Sequence, residues 1–171
     1  MSGARKKRAE HRRARPRVDF VVEEPKWRKE AQALRLMRRA LKLVVDEAGA
    51  GGITVLLSSD AKLKSLNFDF RGKNKPTNVL SFPPGGSEMD HLGDIALAFG
   101  VVRREAREQN KSFAAHAAHL ALHGGLHLLG YDHEKKNEAK KMESLEIRLL
   151  GLIGLTNPYA PRLYTRAGRP A

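Results

Sequence analysis

The chain has no cysteine, which excludes disulfides and thiolate metal ligands and is compatible with a reducing cytoplasm. No apolar run approaches the roughly 20 residues needed to cross a bilayer. The start of the chain lacks the apolar segment of a secretory signal. No membrane partner is expected. Acids are also scarce. Lys and Arg outnumber Asp and Glu 32 to 19, leaving +13 on 171 residues. Such an excess favours polyanionic partners, nucleic acid above all, with binding that weakens as salt rises. Charge alone supports a merely solubilising surface equally well. The length suits one domain with a substantial core.

What the chain does have is histidine, concentrated. The stretch His123-Gly-Gly-Leu-His127-Leu-Leu-Gly130-Tyr-Asp-His133 places three imidazoles at relative positions zero, four and ten. Two histidines four apart on a helix leave from one face, about a turn apart, and both can reach one ion. The third arrives only if the chain turns back. Gly130 is the expected turning point, because glycine takes the left-handed conformation that ends helices. Three neutral imidazoles with an open fourth position describe a catalytic rather than a structural zinc site. Any one of these histidines alone reads better as a half-buried, hydrogen-bonded residue; the pattern as a set does not. On a helical wheel His116 and His119 join His123 and His127 within roughly 80°. His119, one turn before His123, is a candidate supporting or proton-transfer group, whereas His116 reads as an ordinary histidine. The spacing resembles the zinc helix of the metzincin proteases, His-Glu-x-x-His-x-x-Gly-x-x-His. Gly124 stands where those enzymes carry the general-base glutamate, which counts against peptide hydrolysis by their mechanism.

Residues 1–16 are charged and poor in apolar side chains. Eight basic residues against one acid between Met1 and Arg17 predict a disordered basic arm. A single domain over residues 17–160 and a basic mobile tail over 161–171 follow. Strands are predicted at Val18–Val22, Ile53–Leu57, about Asn78–Phe82 and Asp94–Phe99, from β-branched runs bounded by turn residues. The second pair is expected to be antiparallel. Helices are predicted over Lys26–Glu47, where apolar residues from Trp27 to Val45 recur at three and four, from Asp60 as cap, over Val101–Gln109, from Asn110 or Ser112 to Leu129, and over Glu134–Leu150. Strand, helix, strand at the start suggests a right-handed parallel crossover. Pro83 to Leu92 reads as a flexible connection. Arg71, Lys73 and Lys75 crowd a loop at one end of the sheet, where loops commonly carry function.

Three segments together, His123–His133, Arg71-Gly-Lys-Asn74-Lys-Pro-Thr-Asn-Val-Leu-Ser-Phe-Pro83 and Leu92-Gly-Asp-Ile95, resemble in order and spacing the signatures of the bacterial YbeY family, over about Val18 to Tyr159. Met142–Glu146, Gly154-Leu155 and Pro158-Tyr159 look like that family's C-terminal helix and exit. The resemblance implies a small mixed four-stranded sheet with packed helices, α+β and zincin-like, with the metal site on a long helix and the loop after it. It further implies a zinc-dependent, single-strand-specific endoribonuclease acting in ribosomal RNA maturation, particularly at the small-subunit RNA 3′ end, and in ribosome quality control in the cytoplasm. By position, His123, His127 and His133 match the zinc ligands and Arg71 the family's functionally important arginine. Asn74 departs from a more usual aspartate.

On this reading zinc activates water, Arg71 holds a phosphate oxygen, and His119 is the leading candidate for proton acceptor. Single-stranded RNA, ribosomal RNA and the small ribosomal subunit are the expected partners. Oligomeric state, cleavage position and the choice between water and the RNA 2′-hydroxyl as nucleophile stay open. The rival readings are a non-catalytic, zinc-stabilised ribosome-assembly factor and, behind it, a zinc peptidase.

Overall fold

The structure is a computed structural model that describes residues 16–86 and 90–160. The expected arm, apart from Pro16, and the expected tail lie outside the described residues, as do residues 87–89 of the connection after Pro83.

β1 (Arg17–Val22), α1 (Ala31–Ala48) and β2 (Gly52–Ser58) form the opening crossover. β1 and β2 pair in parallel, Val18 opposite Ile53. α2 (Asp60–Arg71) leads to β3 (Val79–Phe82), β4 (His91–Ala98), α3 (Phe99–Glu108), α4 (Phe113–Leu128) and α5 (Lys136–Leu152). The sheet order is β1-β2-β4-β3, with β4 parallel to β2 and antiparallel to β3. The result is a mixed four-stranded α+β sheet, as expected, and β3 is one of its edges.

Two local differences have physical causes. Trp27 sits not on α1 but on a preceding 3₁₀ turn, Pro25–Lys29, because Glu30 leaves helical geometry (φ −99°, ψ 57°) while the apolar spacing runs on unbroken. The fully buried indole donates to the Ser58 carbonyl at 3.1 Å and packs against Phe99 and Phe113 at 5.2 and 5.3 Å. The cap of α2 is Ser59, whose hydroxyl accepts from the Lys62 N–H. Asp60 instead reaches across to α3 and accepts from the Val101 N–H at 2.9 Å. It satisfies a helix start whose own cap, Ala98, has no side chain to offer. Phe99 opens α3 rather than closing β4.

α4 is the central element. Ala114, Ala117, Ala118 and Ala121 are buried along it, and these small side chains let two neighbours close in. Gly125 faces α1, and a Cβ there would lie 3.0 Å from Leu41 Cδ2 and 3.1 Å from Val44 Cγ2. Gly124 faces the sheet, where a Cβ would meet Ser81 Oγ at 3.0 Å and Ile95 and Val79 Cγ2 at 3.1 Å. The adjacent glycines thus fit α4 between α1 and the sheet. Gly124→Ala gains about 1 kcal/mol of helix propensity against about 1–3 kcal/mol of overpacking. A net loss of about 1 kcal/mol is expected, lowering Tm by about 2–4 °C in a thermal melt.

Candidate metal centre

α4 carries His123 and His127 on its last turns. The helix then ends as the chain pattern predicts: Gly130 takes φ +90°, its N–H bonds the His127 carbonyl at 3.0 Å, and the Tyr131 N–H bonds the Leu126 carbonyl at 3.2 Å. This pair of bonds is a Schellman closure. It reverses the chain so that His133 returns to the other two. Asp132 shapes the return, its carboxylate accepting from the His133 N–H at 2.6 Å and the Glu134 N–H at 3.3 Å. Those backbone donors hold its pKa down. One nitrogen from each of His123, His127 and His133 lies within 4.8 Å of the others. The rings stand 4.6 to 5.5 Å apart.

The hydrogen bonds on the far side of the rings determine what this trio can hold. His127 Nδ1 is 2.8 Å from the Tyr131 carbonyl, which only accepts, so Nδ1 carries the proton. His123 Nδ1 is 2.5 Å from Glu146 Oε1. Burial by itself would raise the Glu146 carboxyl, but hydrogen bonds from His123 and Tyr159, with the His119 ring close by, outweigh it and hold the pKa down to about 2. That group is therefore an anion, and His123 Nδ1 is also the donor. In the neutral rings both Nε2 atoms are then bare lone pairs, yet they face each other at 3.1 Å. Two acceptors in that position repel unless a cation lies between them. Burial, followed by the neighbouring His123, lowers the pKa of His127, and a metal ion fits the donor set.

Glu146 and Tyr159, which the family resemblance takes in without a role, stand behind His123 in the structure. Glu146 lies on α5 among buried Met142, Leu149 and Leu150, its side chain fully enclosed. An acid at an apolar position of an amphipathic helix was the signal available. The Tyr159 hydroxyl donates to Glu146 Oε2, and burial, with the adjacent Glu146 anion, pushes the phenol pKa up. His119 completes the arrangement. Its Nε2 is 3.3 Å from the Tyr159 hydroxyl and 3.7 Å from Glu146 Oε1, with its pKa lowered chiefly by burial. Since the phenol proton is given to Glu146, His119 donates to the phenol oxygen. Its bonding nitrogen therefore faces the supports of His123, and His119 is outside the metal-binding trio. His116 is a buried histidine paired with Glu105 at 2.7 Å, as an ordinary role requires.

A cleft of about 790 Å³ opens over the three histidines. Arg71 and Lys73 line it, together with Asn78, Val79 and Ser81 of the β3 region. Arg71 is the last residue of α2 rather than a loop residue. It is exposed, on a helix end that Gly72 closes with φ +66°. Lys75 is not among the lining residues; its carbonyl accepts from buried Asn67 at 2.9 Å. Gly124 points at the sheet, so the position of the metzincin base has no side chain, and even a Cβ there would crowd Ser81, Ile95 and Val79.

Fold and site together define an α+β protein with a three-histidine group able to bind a metal ion at the floor of a cleft with a cationic wall. Residues 19–154 match the family model described as Endoribonuclease YbeY. The chain belongs to that family. It is 45% identical over 157 residues to Endoribonuclease YbeY of Rhodopseudomonas palustris, covering 86% of this chain and 83% of the relative. To that of Maricaulis maris it is 43% identical over 145 residues, 83% and 91% of the two chains. The solution structure of TM1509 from Thermotoga maritima is similar at a TM-score of 0.55 and 31% identity, over 80% of this chain and 91% of that one. Family membership makes this a nuclease that acts on RNA. Among the described residues no helix is long and apolar enough to cross a membrane.

Proposed function

We propose that the chain is a zinc-dependent endoribonuclease specific for single strands. In this reading it acts in ribosomal RNA processing at the small-subunit RNA 3′ end and in ribosome quality control, in the cytoplasm, with residues 17–160 as the catalytic domain. The observation that carries the metal reading is the pair of facing Nε2 atoms at 3.1 Å whose opposite nitrogens are both committed to acceptors. His123, His127 and His133 would hold zinc at the cleft they line. Bound there, zinc supplies Lewis-acid activation of water and of a phosphoryl oxygen.

The chain's own residues do the rest. Glu146 holds His123 in the tautomer that offers Nε2, and the Tyr131 carbonyl does the same for His127. Arg71, at the cleft wall, offers a planar fork to two phosphate oxygens and to the charge that builds on them. His119 supports the site by donating to the Tyr159 hydroxyl, which in turn donates to Glu146, the first of the two roles its spacing allowed.

The direct test combines two substrates and one chelator. Purified protein should cut single-stranded RNA and leave casein intact; EDTA should abolish cutting and zinc restore it. RNA binding that survives chelation, without cleavage by the zinc-loaded protein, would instead establish a non-catalytic assembly factor. In cells lacking the protein, small-subunit RNA should keep unprocessed 3′ ends. Wild type should correct them and His127→Ala should not.

Arg71→Ala separates metal binding from substrate binding. Zinc content should be retained while kcat/KM on RNA falls by about 10- to 100-fold, the worth of one or two charge-assisted hydrogen bonds. Unchanged cleavage removes Arg71 from the site.

A further inference from the structure

β3 borders the metal cleft along its free side, and its backbone is unusually selective about what could pair there. Pairing with β4 puts Asn78 opposite Ala98, whose N–H bonds the Asn78 carbonyl at 3.0 Å. In an antiparallel ladder, alternate residues bond inward. Leu80 and Phe82 therefore bond to β4, while Val79, Ser81 and Pro83 turn their backbone groups outward. All three line the cleft. The Val79 N–H is already taken by its neighbour's side chain, Asn78 Oδ1, at 2.7 Å. Asn78 is itself held by Glu105, which accepts from Nδ2 at 3.1 and 3.2 Å. Pro83 has no N–H. One outward donor remains, Ser81 N–H, flanked by the carbonyls of Val79 and Ser81.

A peptide strand adding to this edge would find two of three expected donors missing, so β-augmentation is disfavoured. A nucleobase needs much less. Every base carries a hydrogen-bond donor beside an acceptor on its Watson–Crick edge, and the Ser81 N–H with a neighbouring carbonyl supplies the complement. We propose that the free edge of β3, through the backbone of Val79 and Ser81, binds the Watson–Crick edge of an unpaired substrate base next to the metal centre. The inference rests on RNA being the substrate. It gives single-strand specificity a physical origin, since in a duplex that edge is occupied by the partner strand. It also predicts tolerance of sequence, because the donor and acceptor adjacency is common to all four bases. Arg71 and Lys73 in the same cleft would take the phosphates.

The test compares cleavage of short oligomers of uridine, 3-methyluridine and 5-methyluridine by the zinc-loaded full chain. Methylation at N3 blocks the pairing edge, and at C5 it adds the same group elsewhere. The 3-methyl oligomer should be cut with kcat/KM lower by about tenfold, the worth of two neutral hydrogen bonds, and the 5-methyl oligomer like uridine. Equal cleavage of uridine and 3-methyluridine by wild type overturns the proposal. Ser81→Pro removes the one donor at a position that makes no ladder bond, where an edge strand tolerates proline; the sensitivity to N3-methylation should disappear. Ser81→Ala, which loses only the hydroxyl bond to the Gly124 carbonyl, should keep it. Sensitivity that persists in a folded, zinc-loaded Ser81→Pro overturns the proposal as well. If Ser81→Pro does not fold, the wild-type comparison decides. Failure of wild type to cut any of the oligomers would count against the RNA reading itself, a result distinct from equal cutting.

Discussion

His127→Ala is expected to leave the protein without stoichiometric zinc and to lower RNA cleavage by at least about a thousandfold. Two remaining imidazoles cannot complete a three-ligand site. Lewis-acid stabilisation of developing charge is worth several kcal/mol, and about 4 kcal/mol corresponds to that factor. The fold should survive, because His127 is only partly buried, its ring bonds outside the trio to the Tyr131 carbonyl, and its backbone bonds are kept by alanine. Elemental analysis after dialysis, a melting curve and a cleavage assay check the three parts. Zinc retained at the wild-type ratio would mean that His127 is not a ligand. Cleavage retained without zinc would mean that the metal is structural.

The second large effect is expected away from the metal, at Glu146. Replacing it by glutamine preserves volume and lets the side-chain carbonyl still accept from His123, but it removes the negative charge that makes His123 the stronger ligand and puts an amide NH2 where Oε2 accepts from the Tyr159 hydroxyl. Support of this kind is worth about 10- to 100-fold in metal affinity, and a chelator competition should show a loss in that range. Glu146→Ala should lose at least as much affinity and also destabilise the fold by about 3 kcal/mol. It opens a cavity among Met142, Leu149 and Leu150, and leaves the Tyr159 hydroxyl without its acceptor. Both variants lose the acceptor of the Tyr159 hydroxyl and only alanine opens the cavity, so glutamine should weaken metal binding with a smaller fall in Tm than alanine, which should lower both. If glutamine left chelator competition unchanged, the carboxylate would be acting only as a spacer.

These two residues differ in how visible they are along the chain. His127 belongs to a local pattern, for a helix period of 3.6 residues and one glycine turn are enough to bring positions 123, 127 and 133 together. Glu146 reaches His123 across 23 residues and from a different helix. Nothing in the spacing links them. The same contrast holds for the elements. Strands and helices with strong periodicity lie where apolar patterning puts them, and the antiparallel β3–β4 pair follows from its short connection. Trp27 lies on a 3₁₀ turn and not on the α-helix its spacing predicts, because the two can share one apolar spacing over a few residues. An acid at a helix start usually serves its own helix, which is why the sequence points to Asp60 as a local cap, whereas it serves α3, 41 residues away.

Gly124 shows the division most sharply. The sequence by itself determined that the metzincin base was missing there, along with the imidazole trio, the excess of positive charge and the α+β succession of elements, since all are local properties of the chain. Only the tertiary structure decided why the residue is glycine: α4 lies against Ser81, Val79 and Ile95 too closely for a Cβ to fit without crowding. It also decided which nitrogens face inward, that Glu146 and Tyr159 stand behind His123, and that β3 presents a nearly donor-free edge to the cleft. Those features depend on groups distant in sequence being packed together, and long-range contact is the property that a periodic reading of one chain does not contain.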